Sequence, residues 1–216
     1  MKSIIIIGAG IGGCTTYLFL KKYLPADTDI HIYESYPPPP YLSNFSKEST
    51  ASSVSPAVAT GVDESTDIKA GQVPNVTSAI GGWLGLSPNG IRVIQSLSRD
   101  VYESIKATAM EVDVFGAQIS SGRMLGNFNA GGKRYGHGTL LVARAAIHDA
   151  VLKEIKIDDI TFNMKVKNVI DGTRSVKIEF ENGESDEAEL VIGADGVWGR
   201  TREAIPECAG INPEYE

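Results

Sequence analysis

Four consecutive isoleucines at positions 4–7 constrain this chain more than any other stretch of its sequence. Isoleucine is apolar and β-branched, so a run of four favours a strand buried on both faces of a parallel sheet. The run ends at Gly8, and Gly8, Gly10 and Gly13 have the spacing G-x-G-x-x-G. These glycines allow a tight turn, close backbone approach to a pyrophosphate and close packing of a helix on the strand. The stretch predicts a strand, a turn and a helix whose N-terminus faces phosphate groups.

The residues after the glycine turn continue the pattern of a nucleotide-binding βαβ unit. A helix-compatible stretch covers residues 14–23, and a turn at residues 25–29 leads to an apolar strand at residues 30–33. That strand ends at Glu34, about 20 residues beyond the last glycine, where an acid accepts hydrogen bonds from ribose hydroxyls. The order of these elements predicts a dinucleotide site. A glycine-rich loop in an ordinary α/β domain is the alternative.

The charge and the apolar content of the chain argue against two classes of partner. Its 216 residues carry a net charge of −7, with no basic stripe to neutralise phosphates, so we expect no nucleic-acid partner. No apolar run approaches the length of a membrane span, and the apolar N-terminal stretch is too short for a signal peptide. We therefore expect a globular, cytoplasmic protein.

The cysteines and histidines do not form a metal-ligand pattern. Cys14 and Cys208 lie far apart and match no metal or redox spacing, so both are expected to be free thiols. His31, His137 and His148 are scattered along the chain. The sequence therefore predicts no metal site.

The regular pattern is interrupted over residues 35–76. Four prolines at positions 37–40 favour an extended polyproline segment, and the Ser- and Thr-rich residues that follow have no apolar face to bury. The sequence predicts a long, partly disordered surface insertion here. A lid over a site, or a proline-rich docking segment, is the alternative interpretation.

Regular elements return after this insertion. Ser87 as N-cap and Pro88 as first helical residue predict a helix start. Helical spacing continues over the apolar positions Ile91, Ile94, Leu97 and Val101. Residues 112–135 predict a small antiparallel section, and a second helix is expected over residues 140–155.

The last third of the chain favours strands. Strand-like stretches cover residues 160–162 and 175–180, and residues 181–184 form a hairpin signal. Residues 190–192 (Leu-Val-Ile) are expected to form another strand buried on both faces.

A second glycine-containing turn follows this last strand. Gly193, Ala194, Asp195 and Gly196 lie at the carboxyl end of a strand, where open α/β sheets bind ligands. An aspartate there can accept hydrogen bonds from ribityl or ribose hydroxyls, and Arg202 can pair with phosphate or hold the loop. An Asp-Gly turn followed by a solvated helix is an equally good explanation of these residues alone.

Taken in order, four segments of the chain resemble the FAD-dependent aromatic-ring hydroxylases, the single-component flavoprotein monooxygenases that include salicylate and para-hydroxybenzoate hydroxylases. The segments are the glycine turn with Glu34, residues 86–92 (Leu-Ser-Pro-Asn-Gly-Ile-Arg), Arg144 with Ile147 and His148, and Asp195-Gly196 with Arg202. The first is similar to the family's ADP-binding motif, the third to its Arg-x-x-Leu-His helix and the fourth to its Asp-Gly motif. The resemblance spans essentially the whole chain.

The resemblance implies an α/β fold, namely a Rossmann-like FAD-binding domain with a parallel sheet and a β-meander, plus part of a small antiparallel substrate-domain section. It implies three segments along the chain. Residues 1–110 would form the first part of the FAD-binding domain, residues 111–136 the partial substrate-domain strands, and residues 137–216 the second part of the FAD-binding domain.

The resemblance also implies a chemistry and a set of binding residues. NAD(P)H would reduce bound FAD, and the reduced flavin would use O₂ to hydroxylate a small aromatic substrate. The ADP part of FAD would lie against Gly8, Gly10, Gly13 and Glu34. Arg144 would hold the pyrophosphate. Asp195 with Gly196 would contact the flavin or the pyridine nucleotide. The sequence offers no candidate for a catalytic acid or base.

Several positions depart from the family's pattern. Gly199 stands where many members have serine, and Ser35 stands where a basic residue is often found. The insertion over residues 35–76 is unusually long. The Gly-Asp motif that contacts the ribityl chain further along in family members has no counterpart before Glu216. The sequence is therefore interpreted as the front half of a hydroxylase.

Other functions stay open at this point. The chain could be a non-catalytic nucleotide-binding or interaction module derived from such an enzyme, with an exposed apolar surface that forms a homodimer or meets the missing C-terminal half. A dehydrogenase-like fold that binds NAD is a third interpretation, which the Asp195-Gly196 turn makes less favourable.

Overall fold

The computed structural model describes residues 2–39, 82–129 and 132–205, which form helices and strands in alternation. The strands are β1 (Ser3–Ile7), β2 (Asp29–Tyr33), β3 (Trp83–Leu86), β4 (Met110–Val112), β5 (Val114–Gln118), β6 (Met124–Asn129), β7 (Thr139–Ala143), β8 (Ile160–Thr161), β9 (Val166–Asp171), β10 (Val176–Phe180), β11 (Ser185–Ala188) and β12 (Leu190–Gly193). The helices are α1 (Ile11–Tyr23), α2 (Pro88–Leu97), α3 (Arg99–Thr108), α4 (Gly132–Tyr135) and α5 (Arg144–Leu152). Short 3-10 turns cover Ile157–Asp159 and Thr201–Ala204.

β1 lies inside a four-stranded parallel sheet with the strand order β12-β1-β2-β8. Its side chains alternate between two layers. Ile4 and Ile6 pack into the core formed with the helices, whereas Ile5 and Ile7 pack against the β9–β11 strands. Each of the four is at most 4% exposed, and burying such a side chain stabilises the fold by roughly 1.5–3 kcal/mol. The predicted doubly buried parallel strand is confirmed.

The helices form a layer on one face of the parallel sheet. α1 packs against α5, and α3 packs against both α2 and α5. The buried side chains that join this layer to the sheet include Tyr17, Ile91, Ile105 and Ile147. One core therefore connects helices from the beginning and the middle of the chain.

The other face of the sheet is covered by a β-meander of β9, β10 and β11, paired antiparallel in that spatial order. The meander packs against Ile5 and Ile7 of β1 through Ile178 and Phe180 of β10 and Val166 of β9. The predicted strand over residues 175–180 and the hairpin after it are both present. No clear strand pattern marks β9 and β11 in the sequence, because most of their side chains are polar or exposed.

Two smaller antiparallel sheets contain the section predicted over residues 112–135. β7 pairs with β3 and β4, and β5 forms a hairpin with β6. Several apolar side chains of the hairpin are exposed, namely Val114, Phe115, Met124, Leu125 and Phe128. The antiparallel section is confirmed as far as Asn129, whereas Gly132–Tyr135 is the short helix α4. The hairpin has an apolar surface.

A helix was predicted over residues 140–155, and its predicted start is wrong. Thr139–Ala143 is β7, and α5 begins only at Arg144. Leu140 and Val142 are buried, while Leu141 and Ala143 are half-buried, which is the two-residue period of a strand. Periodicity alone cannot distinguish a short apolar strand from a helix, so pairing with β3 and β4 decides.

The helix predicted to continue from Pro88 to Val101 is two helices. Ser98 has an extended backbone, with φ of −154° and ψ of 134°, and ends α2. Its hydroxyl oxygen accepts the N–H of Val101 at 3.3 Å and so caps α3. Pro88 does begin α2, but the Ser87 hydroxyl donates to the Asn89 side chain and makes no cap hydrogen bond.

The last strand also differs from its prediction. β12 is half-buried, because it is the edge strand of the described parallel sheet and pairs with β1 alone. Of the predicted insertion, residues 40–76 lie outside the described residues. Within the described part of the chain, no helix is long and apolar enough to cross a membrane, and no His, Cys, Asp and Glu side chains cluster as metal ligands.

The packing of α1 on β1 generates a stability prediction. A Cβ at Gly13 would lie 1.9 Å from the Gly8 carbonyl oxygen, so Gly13→Ala should lower the free energy of unfolding by about 3 kcal/mol. A Cβ at Gly12 would meet no atom within 4 Å, so Gly12→Ala is the matched control and should raise stability by up to about 1 kcal/mol. Urea unfolding of the two variants measures both effects. Equal stabilities would contradict the close approach.

Candidate functional site: a cleft at the carboxyl edge of the sheet

Three loops meet at the carboxyl edge of the parallel sheet, directly after β1, β2 and β12. The Gly8 N–H donates to the Tyr33 carbonyl oxygen at 2.8 Å, and the Ala194 N–H donates to the Ile7 carbonyl oxygen at 2.8 Å. These hydrogen bonds hold the loop after β1 between the loops of the two neighbouring strands. Open α/β sheets bind ligands at this edge.

The three glycines of the turn have different surroundings. Gly8 has φ of +102°, and a Cβ there would lie 2.5 Å from the Ala194 carbonyl oxygen. Gly13 is the point at which α1 approaches Gly8. A Cβ at Gly10 would meet no atom within 4 Å, so the space beside this residue is open. Gly8 and Gly13 therefore permit the packing, and Gly10 borders the space where a ligand can lie.

The Glu34 carboxylate binds three donors of the surrounding loops. Its Oε2 accepts the Ala9 N–H at 2.6 Å, and its Oε1 accepts the Tyr36 N–H at 2.9 Å and the Ser35 hydroxyl at 3.1 Å. An ionised carboxylate has about four acceptor positions. Glu34 therefore ties the first two loops together and keeps about one acceptor position for a further donor.

The Ala9 carbonyl is held from two other elements. His148 of α5 places its Nε2 2.6 Å from this oxygen, and the Cys14 thiol of α1 lies 3.1 Å from it. Burial, reinforced by the negative charge of Glu34, raises the pKa of the Cys14 thiol to about 12. The thiol therefore keeps its proton at neutral pH and donates it to the carbonyl.

Asp195 stabilises the loop after β12. Its Oδ2 accepts the Thr201 N–H at 3.0 Å and its Oδ1 accepts the Thr201 hydroxyl at 2.5 Å. A Cβ at Gly199 would lie 2.0 Å from the Asp195 Oδ1. The missing side chain at Gly199 thus leaves the room in which the Asp195 carboxylate lies, and Gly196, with φ of +80°, completes the turn.

These loops enclose a cleft of about 490 Å³, a volume within the usual range of small-molecule sites. The residues predicted from the sequence that line it are Gly8, Gly10, Glu34, Arg144, Asp195 and Gly196. Gly13 does not line the cleft, because it lies inside the contact between α1 and β1. The cleft also has cationic side chains, contributed by Arg144, Lys165 and Arg200.

Sequence reasoning missed one wall of the cleft. Residues 164–166 line it because the Met164 N–H donates to the Glu34 carbonyl at 2.8 Å and the Asn163 N–H donates to the Tyr36 carbonyl at 3.2 Å. This pairing joins distant parts of the chain, and no motif marks it. Trp198, which is 74% exposed, also lines the cleft. Its position next to the Asp-Gly turn is the sequence feature that could have predicted this.

Arg202 lies elsewhere. It lines an adjoining depression of about 780 Å³ beside the edge strand β12, together with Asp171, Val176 and Thr201. This depression shares Asp195 and Gly196 with the cleft. Arg202 does not line the cleft that contains Gly10 and Glu34, and its predicted pairing with phosphate stays a prediction. The depression is bordered by the strand edge, and its lining is largely apolar.

The contact between Gly199 and Asp195 generates a second prediction. Gly199→Ser should displace the Asp195 carboxylate from Thr201 and lower the free energy of unfolding by about 1–2 kcal/mol, the cost of losing such hydrogen bonds. Urea unfolding measures the change. In a Thr201→Val background the same substitution should cost less, because one hydrogen bond is already absent. Fully additive costs would show that Gly199→Ser acts by another route.

The chain is similar to known proteins in sequence and in fold. No family model matches the chain. The chain is 27% identical over 131 residues to 3-amino-4-hydroxybenzoate 2-monooxygenase of Streptomyces cremeus, an alignment that covers 59% of this chain and 33% of the relative. The chain thus spans about a third of the length of this curated relative.

Solved structures share the fold over nearly the whole chain. 2,6-Dihydroxypyridine-3-hydroxylase from Arthrobacter nicotinovorans has a TM-score of 0.65 at 18% identity, covering 99% of this chain and 41% of its own. HpxO of Klebsiella pneumoniae, solved in complex with FAD and uric acid, has a TM-score of 0.62 at 21% identity, covering 94% and 41%. The homologues of this chain are FAD-dependent monooxygenases of the aromatic-hydroxylase kind, and its fold is that of the FAD-binding hydroxylases.

Proposed function

We propose that this chain is the FAD-binding portion of a flavoprotein monooxygenase that uses NAD(P)H and O₂ to hydroxylate an aromatic or related small molecule. The proposal rests on one observation. The same cleft is lined by Gly10, Glu34, Arg144 and Asp195, which come from four separate segments of the chain. In this proposal residues 1–110 and 137–216 form the FAD-binding domain, and residues 111–136 contribute strands to a substrate domain.

The glycine turn fits the ADP part of FAD. The first hydrogen bond inside α1 is the one from the Cys14 N–H to the Gly10 carbonyl, at 2.9 Å. The preceding N–H groups of the helix therefore have no acceptor within the helix, and they can donate to phosphate oxygens together with the positive end of the helix dipole. The open space beside Gly10 admits a phosphate at this position.

The Glu34 carboxylate fits a ribose. With three donors already bound, it has about one acceptor position left, which suits a hydroxyl group. A carboxylate at this place repels a phosphate group on the ribose. Glu34 would therefore orient the adenosine end of FAD while its other hydrogen bonds keep the loops closed.

Arg144 is the proposed partner of the pyrophosphate. It is the first residue of α5 and lines the same cleft as Gly10. A guanidinium group can bind two phosphate oxygens at once. Of the other two cationic side chains that line the cleft, Lys165 pairs with Glu181 and Arg200 pairs with Glu203.

Asp195 and Gly196 are proposed to contact the flavin or the pyridine nucleotide. Both line the cleft, and the Asp195 carboxylate is oriented by its hydrogen bonds to Thr201. When bound, FAD supplies the redox chemistry, taking electrons from NAD(P)H and using O₂ for hydroxylation. The chain's own residues bind and orient the cofactor, and none of the residues lining the cleft is assigned as an acid or base.

Binding of FAD to the purified full chain tests the proposal. After incubation with excess FAD and gel filtration, the chain should retain flavin, seen as its visible absorption, and FAD should protect it from trypsin. Excess NAD should not displace the flavin. A chain that retains no flavin, or one that NAD protects and FAD does not, would contradict the proposed function. A stable dimer with equal tryptic sensitivity in both conditions would favour an interaction module.

The role of Arg144 generates a separate prediction. Arg144→Gln should weaken FAD binding by about 10- to 100-fold, because a hydrogen bond to a charged group contributes about 1.5–3 kcal/mol. Arg99→Gln is the matched control, since Arg99 is also the first residue of a helix but is exposed and does not line the cleft. Flavin fluorescence titration measures both dissociation constants. Equal affinities for the two variants would remove Arg144 from the site.

A further inference from the structure

The peptide groups on both sides of Ala9 are held by three side chains from three different elements. Glu34, after β2, accepts the Ala9 N–H at 2.6 Å. His148 of α5 and Cys14 of α1 hold the Ala9 carbonyl oxygen, at 2.6 and 3.1 Å. Ala9 itself is only 3% exposed. The second residue of the glycine turn is therefore held in one orientation by contacts that the glycine motif does not contain.

The orientation of this carbonyl determines the direction of the next N–H group. The Ala9 carbonyl and the Gly10 N–H belong to one peptide unit, which is planar and trans, so the two groups point in opposite directions. Holding the oxygen against His148 and Cys14 therefore directs the Gly10 N–H away from them. A rotation of the peptide would place the carbonyl oxygen where the N–H had been, and a carbonyl oxygen repels phosphate.

The hydrogen bond also specifies the protonation of His148. A carbonyl oxygen only accepts, so the Nε2 atom of His148 must carry a proton. With the proton on Nδ1 alone, the Nε2 lone pair would face the carbonyl lone pairs. Arg144 and His148 lie four residues apart, on one face of α5, and both line the cleft.

We propose that His148 is a positioning residue for the pyrophosphate group of FAD, a role that rests on the function proposed above. Its Nε2–H holds the Ala9 carbonyl, and this contact presents the Gly10 N–H to a phosphate oxygen. Arg144 then acts on the pyrophosphate directly, and His148 acts on it through the backbone of the glycine turn. The same face of α5 thus contributes a charge and an oriented backbone donor.

The test uses two ligands that differ in the pyrophosphate alone. ADP carries it and adenosine lacks it, so a residue that orients the Gly10 N–H should affect the first ligand and not the second. His148→Leu should weaken binding of ADP and of FAD about tenfold, the value of one hydrogen bond of about 1.4 kcal/mol, and leave adenosine affinity unchanged. His148→Gln should restore most of the lost affinity, because its side-chain amide can donate at the position of Nε2.

His31→Leu is the matched control for His148→Leu. His31 is half-buried in β2, its Nε2 lies 2.7 Å from the Thr161 hydroxyl oxygen, and it does not line the cleft. Loss of this hydrogen bond should leave both nucleotide affinities unchanged. Nitrogen NMR of the unmodified chain gives an independent reading, because at slightly alkaline pH the His148 Nε2 should carry the proton. An unprotonated Nε2 would overturn the proposal even if His148→Leu fails to fold.

The outcomes separate this inference from the proposed function. If the unmodified chain binds neither FAD nor ADP, both are wrong. If it binds them and His148→Leu binds ADP equally well, the positioning role is wrong and the FAD site stands. If His148→Leu loses ADP and adenosine affinity in equal measure, or if His148→Gln restores nothing, His148 acts on the fold as a whole and the positioning role is overturned.

Discussion

The burial of β1 on both of its faces is the constraint on which the rest of the structure depends. A strand with two apolar faces is stable only between two layers, one for Ile4 and Ile6 and one for Ile5 and Ile7. The helical layer comes from widely separated segments of the chain, and the β-meander comes from its last third. Packing around one short strand therefore brings the beginning and the end of the chain together.

The same arrangement produces the cleft. Because β1 lies between β2 and β12, the loops after all three strands end at one edge of the sheet. Glu34 and Asp195 then stabilise these loops from within, and each carboxylate still borders the cleft. The charges of the site thus serve the loop structure as well as the proposed ligand.

The parts of the fold that were predictable have signals that are local in sequence. The isoleucine run, the glycine spacing and the acid at the end of β2 each follow from residues within one short segment. One error arose where distant strands decide, and the other where a local side-chain hydrogen bond decides. Residues 140–143 form a strand because β3 and β4 pair with them, and Ser98 separates two helices by capping the second. Periodicity contains no information on either partner.

By itself, the sequence determined the glycine turn, the doubly buried strand before it and the acid that follows the second strand. These features depend on steric freedom at glycine and on side-chain shape, which belong to each residue. The tertiary structure alone decided that Met164 and Lys165 form a wall of the cleft and that His148 holds the Ala9 carbonyl. The physical reason is that hydrogen bonds and close contacts between residues more than a hundred positions apart exist only once the core has packed.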